Sequence, residues 1–285
     1  MERKKYIPHE WETVSCPFCD SYKNKLHERF GCDLQFTYVK CEKCGLIYQS
    51  PRPKYDEVFL KAAYGEYFTY DEGYEYSEAN LLQWDKELKE ILRFDKKRTA
   101  ILDIGSCMGD FLKAAQKYYP ICYGIEVSEN MAKFTEKKLN TRIFSGDYTD
   151  FNPSEKFSCI HMSHVIEHIP NPKDWLSKSK EILDENGILV ISVPNMLSMS
   201  RRFKLSLKRL GLVKGKWKEN WRTPDHLFEP TIKSTIKFLN ENGFDILEYY
   251  TYSRKDPDVS TLSGKILNRK LKTGSNLRFF VTLRK

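Results

Sequence analysis

An α/β fold with a largely parallel sheet, preceded by a small zinc ribbon, is what the sequence predicts, and three observations predict it. Two C-x-x-C pairs, Cys16-Pro-Phe-Cys19 and Cys41-Glu-Lys-Cys44, stand 21 residues apart near the N-terminus. From Thr99 onward strand-like and helix-like stretches take turns, the pattern of strands laid parallel by helical crossovers. The chain then closes on two consecutive strand-like runs, which suggests an antiparallel pair at one edge of the sheet.

Each C-x-x-C turns tightly enough for two thiolates to grip one tetrahedral Zn²⁺, so Cys16, Cys19, Cys41 and Cys44 are the expected ligands of a structural zinc. Short strands over Gln35 to Lys40 and Leu46 to Gln49 complete a ribbon too small to hold a core unaided. Pro51, Arg52 and Pro53 end it, giving a zinc-ribbon domain over residues 1–53. Residues 54–98 form a tyrosine-rich segment and linker: Tyr64, Tyr67, Tyr70, Tyr74 and Tyr76 crowd a loop or broken helix. Behind Ser77 as N-cap, Leu81, Leu82, Trp84, Leu88, Ile91 and Leu92 recur near helical spacing, so Ser77 to Phe94 reads as a helix. The third part, 99–285, carries strands Ala100 to Ile104, Ile121 to Glu126, Arg142 to Ser145, Phe157 to Met162, Ile188 to Val193, Asp245 to Tyr252 and Leu277 to Leu283. Its helices are Gly109 to Tyr118, Glu129 to Leu139, Lys173 to Leu183 and Thr231 to Asn242. Cys32, Cys107, Cys122 and Cys159 lack paired spacing and read as packed, buried thiols.

A chain of 285 residues that is 40% hydrophobic can bury one sizeable core plus an annex, which excludes disorder as a whole. No apolar run approaches the roughly 20 residues of a membrane-spanning helix. The N-terminus has Glu2, Arg3, Lys4 and Lys5 but no apolar stretch of a secretory signal, so a cytoplasmic location is expected. Net charge is +8, and it is concentrated: Arg201 to Lys218 holds eight cations without an acid, and the remaining 39 basic and 39 acidic residues cancel. Within this insertion, 196–222, Met196, Met199, Phe203, Leu207 and Leu210 recur at three- and four-residue steps, as in a basic amphipathic helix. Such a helix could rest on the anionic inner membrane surface, hold the phosphates of a nucleotide sugar or lipid-linked glycan, or bind RNA. Trp217 and Trp221 lean towards a membrane interface or sugar stacking.

Chemistry collects at the strand ends. Asp103-Ile-Gly105-Ser106-Cys107-Met-Gly109 lies where the first strand runs into a helix, so Gly105 and Gly109 permit a tight turn and close approach of a ligand to the backbone. The next strand ends in Glu126-Val127, placing a carboxylate where it could chelate two ribose hydroxyls, and the third is followed by Gly146-Asp147-Tyr148, where an acceptor could meet an adenine amino group. Three acids at successive strand ends make one ligand site at a topological switch point.

These residues resemble class I S-adenosylmethionine-dependent methyltransferases, with Leu102 to Gly109 as the first motif and Glu126 as the second. His164-Val-Ile-Glu167-His168-Ile-Pro170-Asn-Pro172 is similar to the family's segment after the fourth strand, and Asp225-His226-Leu-Phe228 precedes a helix in the same way. The resemblance implies a seven-stranded Rossmann-like sheet of order 3-2-1-4-5-7-6 with the seventh strand antiparallel. It implies S-adenosylmethionine as cofactor, held by Asp103, Gly105, Ser106, Cys107, Gly109, Glu126, Val127, Asp147 and Tyr148. Cys107 stands where the family often has glycine, and because in such enzymes with an N-terminal zinc ribbon the segment before the catalytic domain often covers the cofactor, the resemblance implies a tyrosine-rich lid within 54–98, at Tyr64 to Tyr76. A nicotinamide-dependent oxidoreductase is the rival for such a fold, but the loop lacks G-x-G-x-x-G.

Methyl transfer is an in-line displacement at an activated sulfonium, so the protein must orient the acceptor and, for a hydroxyl, remove its proton. His168 is the first choice as base, with His164, Glu167 and His226 as the other candidate catalytic residues. Three imidazoles and a carboxylate could also hold Mg²⁺ or Mn²⁺ and lower the acceptor's pKa; the spacing resembles the E-x-x-E-H metal motif of some O-methyltransferases, with His164 in place of the first glutamate. The favoured reading is O-methylation of a small molecule, nucleotide sugar or glycan. An RNA methyltransferase that captures RNA through ribbon and basic helix, a sugar C-methyltransferase and a noncatalytic zinc adaptor are the alternatives.

Overall fold

In the computed structural model of the chain, the described residues are 6–31, 34–64, 73–195, 198–199, 201, 203, 206–207, 210, 224–253, 265–271 and 273–285. Beyond the ribbon and linker, alternation of apolar strands and amphipathic helices builds the expected sheet. Its strands are β6 (Ala100–Ile104), β7 (Ile121–Glu126), β8 (Arg142–Ser145), β9 (Phe157–Ser163), β10 (Leu183–Pro194), β12 (Phe244–Tyr252) and β13 (Asn276–Leu283). The spatial order is β12-β13-β10-β9-β6-β7-β8, and β13 runs antiparallel to both its neighbours. Numbered within the sheet this is 3-2-1-4-5-7-6, as the resemblance implies. β6 is buried along its whole length and β9 nearly so, because crossover helices cover both faces. Those helices are α3 (Asp110–Ala115), α4 (Glu129–Leu139), α5 (Pro172–Ile182) and α6 (Ile232–Glu241). Among the described residues no helix is long and apolar enough to cross a membrane.

The linker helix α2 (Glu78–Ile91) starts where expected, with the Ser77 hydroxyl accepting the Asn80 N–H at 3.1 Å. Its Leu88 and Ile91 are fully buried against the sheet domain. The stretch read as a loop or broken helix holds a short helix α1 (Glu57–Tyr64), in which Phe59 is fully buried. Tyr67 and Tyr70 lie outside the described residues, as do Trp217, Trp221, Cys32 and most of 196–222.

The N-terminal module contains β1 (Trp11–Glu12), β2 (Asn24–Phe30), β3 (Phe36–Cys41), β4 (Ile47–Gln49) and β5 (Arg52–Pro53). Its main sheet has four strands, and the fourth is not its own: β11 (Phe228–Glu229), from the far end of the chain, pairs antiparallel with β4. Phe18, inside the first C-x-x-C, stacks on Phe238 of α6 at 3.9 Å between ring centroids and meets Phe228 edge-on at 5.2 Å. Ribbon and sheet domain thus share one apolar core. The sequence offers β11 only two residues of strand pattern, too few to read.

A buried ionic network ties α2 to the middle of the sheet. Glu87 pairs with the Arg278 guanidinium at 2.6 Å and with His161 Nε2 at 3.1 Å, while His161 Nδ1 lies 2.7 Å from Asp103. Burial opposes a charge on His161, but the bonds to Asp103 and Glu87 outweigh it and hold the imidazolium up to about 9. His161 binds its proton more tightly folded than unfolded, so its contribution is complete below about pH 6.5 and is lost as pH rises through about 9. The loss is on the order of 3 kcal/mol. Urea unfolding of the wild type is therefore expected to weaken between pH 6.5 and 9.5. In Glu87→Gln the slope flattens and Arg278 loses its carboxylate partner; an unchanged slope would exclude His161 as its source.

Candidate active site

The four cysteines of the ribbon converge. Cys16 and Cys44 sulfurs are 3.4 Å apart, Cys19 and Cys41 3.5 Å, and all four lie within 4.8 Å of one another. A tetrahedral zinc at about 2.3 Å from each sulfur has edges of about 3.8 Å, so this donor set fits the ion. The hydrogen bond shared with Cys16 pulls Cys44 down to about 5, while the same bond pushes Cys16 far up.

The loop after β6 is built by left-handed backbone. Gly105 and Gly109 have φ of 76° and 83°. A Cβ on Gly105 would sit 2.6 Å from Val165 Cγ2, and one on Gly109 2.6 Å from Thr135 Cγ2, so glycine is demanded twice over. Cys107 also has positive φ, 47°, which explains the glycine usual at this position. The packed-thiol expectation for Cys107 is corrected: the residue is exposed, because its N–H goes to Glu126 Oε2 at 2.9 Å and its carbonyl to the Thr135 hydroxyl at 2.8 Å, turning the side chain outward. Cys122 and Cys159 are buried as expected.

Glu126 closes this loop from the end of β7. Its second oxygen accepts the Ser128 N–H at 3.0 Å, and burial raises its pKa. Ser106 is buried, and among the described residues its hydroxyl has no partner. Val127 is exposed beside Glu126. Asp147 is exposed and caps its own turn, accepting the Thr149 N–H at 2.8 Å. Two of the residues expected to hold the cofactor sit deeper: Asp103 lies under the loop against His161, and the Tyr148 ring is fully buried against Trp175 with its hydroxyl 3.0 Å from Ser179. From the linker, the Tyr76 hydroxyl donates to the Met108 carbonyl at 3.1 Å and Tyr74 to Asp110 at 2.6 Å, so these two tyrosines lie on the loop's outer side.

Beyond β9 the chain brings Glu167, His168 and His226 together, with one ligand atom from each within 4.8 Å of the others. Glu167 is wholly buried, and neither of its oxygens accepts a hydrogen bond among the described residues. A buried carboxylate in that state demands a cation. His164, at φ 57°, faces it: Nδ1 is 3.3 Å from Glu167 Oε1, and Nε2 is 3.3 Å from the Tyr252 hydroxyl. His168 Nδ1 lies 3.0 Å from the Asp225 carbonyl. A carbonyl only accepts, so Nδ1 carries the proton and Nε2 is the basic nitrogen. Burial lowers the pKa of His168. For His226 burial pulls the same way, but the bond to Glu229 at 3.1 Å, aided by Glu167 and Asp225, overcomes it and raises the imidazole to about 9.

Sequence reasoning missed Glu229, which is buried beneath His226 and within 3.6 Å of Arg201, and missed Tyr38, Gln49 and Tyr252. Their signal was three-dimensional, except that Glu229 lies three residues from His226. Between ribbon and sheet domain runs a cleft of about 320 Å³ whose lining includes Thr13, Ser15, Tyr22, Gln49, Asn171 and Leu227.

The sequence profile of a family described as a methyltransferase domain matches residues 74–249. The ubiquinone biosynthesis O-methyltransferase of Pelagibacter ubique is 28% identical over 205 residues, 65% of this chain and 78% of that protein. An S-adenosylmethionine-dependent methyltransferase from Clostridium acetobutylicum superposes with a TM-score of 0.53 over 72% of this chain and 92% of its own, at 14% identity. The magnesium protoporphyrin IX methyltransferase of Synechocystis, with bound SAH, gives 0.50 over 79% and 97%, also at 14%. These two share the fold. A profile match across more than half the chain, on the sheet and loops described above, makes this protein a member of the methyltransferase domain family and an S-adenosylmethionine-dependent enzyme.

Proposed function

We propose that the enzyme O-methylates a small hydroxylated acceptor, a sugar, glycan or related small molecule, with His168 as the base. The observation that carries this reading is the tautomer of His168. Its Nδ1–H is committed to the Asp225 carbonyl, so Nε2 is the nitrogen that can take a proton, and one ring nitrogen lies within 4.8 Å of ligand atoms of Glu167 and His226. As the acceptor oxygen attacks the methyl carbon, the carbon–sulfur bond breaks and its electron pair stays on sulfur. The hydroxyl proton goes to His168 Nε2. Burial keeps His168 unprotonated near pH 7, as a base requires. The O-methyltransferase activity named for the relative from Pelagibacter ubique supports a hydroxylated acceptor.

In this reading the cofactor lies over the loop 105–109, with the ribose hydroxyls on Glu126 and the adenine near Asp147. Calorimetry with S-adenosylmethionine is expected to give micromolar binding, weakened at least tenfold in Glu126→Ala. Absence of binding to the folded, zinc-loaded wild type would overturn the assignment and favour an adaptor.

The burial of Glu167, which accepts no hydrogen bond among the described residues, favours a second reading in which His168 is a metal ligand instead of the base. Glu167, His168 and His226 fit a divalent cation such as Mg²⁺ or Mn²⁺, which when bound would lower the pKa of the acceptor hydroxyl. Binding there requires both imidazoles to be neutral, so it displaces the proton of His226. Mn²⁺ titration followed by electron paramagnetic resonance is expected to show one site that Glu167→Ala abolishes. If the wild type binds no Mn²⁺, the positive charge facing Glu167 is the His226 imidazolium instead.

The described part of 196–222 exposes Met199, Phe203 and Leu210, which supports peripheral contact with an anionic membrane. Flotation with phosphatidylglycerol vesicles is expected to carry the protein, and to fail in high salt; flotation equal with neutral vesicles would remove the charge-driven contact.

A further inference from the structure

The ribbon grips the backbone of the segment that carries His226. His226 presents its backbone oxygen to two ribbon side chains: Gln49 Nε2 donates to it at 2.6 Å and the Tyr38 hydroxyl at 3.0 Å. Gln49 Nε2 also meets the Pro224 carbonyl at 3.0 Å, and its backbone N–H donates to Leu227 at 2.9 Å. From the opposite side the Leu227 N–H donates to the Glu167 carbonyl at 2.9 Å. The segment 224–229 is therefore a strip clamped between β4 and the Glu167 turn, with Phe228 opposite Tyr48 and Glu229 opposite Ile47.

The clamp is short-coupled to the thiolates. Tyr38 sits on β3, which ends in Cys41, and Gln49 follows Cys44 by five residues. Phe18, between Cys16 and Cys19, leans on Phe228 in the strip itself. A small ribbon holds its turns only while its metal is bound, so losing the ion would release Phe18, β3 and β4 together.

We infer that Gln49 and Tyr38 are positioning residues through which the zinc ribbon sets His226 against Glu167 and His168, so that metal at Cys16, Cys19, Cys41 and Cys44 controls the active-site face. The functional meaning of that face rests on the reading above; the clamp itself does not.

The test uses the full-length, zinc-loaded protein and the double variant Tyr38→Phe/Gln49→Met, which keeps side-chain volume and removes the donors. Hydrogen–deuterium exchange is expected to accelerate at least tenfold in peptides covering 224–229 and to stay unchanged in β6 and β9. In ¹⁵N-histidine spectra the His226 ring signal, set by its Glu229 bond, is expected to shift or broaden while that of His161 stays. Zinc content and the S-adenosylmethionine dissociation constant should hold within twofold. Should the double variant fail to fold, Tyr38→Phe alone, lacking one hydroxyl, is expected to give the same local pattern at about threefold. Unchanged exchange and an unmoved His226 signal would overturn the inference, and so would uniform acceleration throughout the protein. A wild type that does not bind S-adenosylmethionine would sink the methyltransfer reading alone, since the exchange comparison does not depend on the cofactor.

Discussion

Glu87 holds the centre of the molecule. It is a fully enclosed carboxylate on a helix outside the sheet, and it is tolerable there only because Arg278 from β13 and His161 from β9 meet its two oxygens. From that pair polar contacts run both ways along the carboxyl edge of the sheet. On one side His161 reaches Asp103 beneath the cofactor loop. On the other, the Arg278 guanidinium lies 4.4 Å from the centre of the Tyr252 ring, Tyr252 meets His164, and His164 faces Glu167. The floor of the 105–109 loop and the wall around Glu167 thus belong to one buried system of charges.

The sheet was legible because its strands are short apolar runs broken by crossover helices, so Ile121–Glu126, Glu129–Leu139 and Arg142–Ser145 begin and end where pattern alone sets them. The cysteine pairs were legible by spacing, and Glu167, His168 and His226 by their resemblance to a family motif. What sequence could not convey was pairing between distant segments. β11 has two residues, and its partner lies about 180 positions upstream. Cys107 shows a subtler limit: residue type suggested burial, whereas its left-handed backbone and the engagement of both its peptide groups turn the thiol outward. Asp103 and Tyr148 lie beside the cofactor loops in sequence, yet their side chains point into the interior.

Two histidines in one cluster carry opposite electrostatic assignments. His168 and His226 rings are 4.8 Å apart and nearly perpendicular. The buried carboxylate Glu229 favours the charged form of one, while burial outweighs the carbonyl partner and favours the neutral form of the other. Environments that push neighbouring groups in different directions are how a site gains both a proton acceptor and a fixed positive charge near neutral pH.

The insertion of Phe18 between Phe228 and Phe238 has a bearing on how such a protein can change over time. A metal knuckle attached by a flexible tether can be gained, lost or exchanged as a cassette. Here the knuckle's own aromatic is a core side chain of the last helix, and the ribbon sheet borrows a strand from beyond residue 220. Excising the first 53 residues would strip an apolar face from α6 and leave β11 without a partner. A change on either side of this seam is therefore felt by the apolar core of both parts.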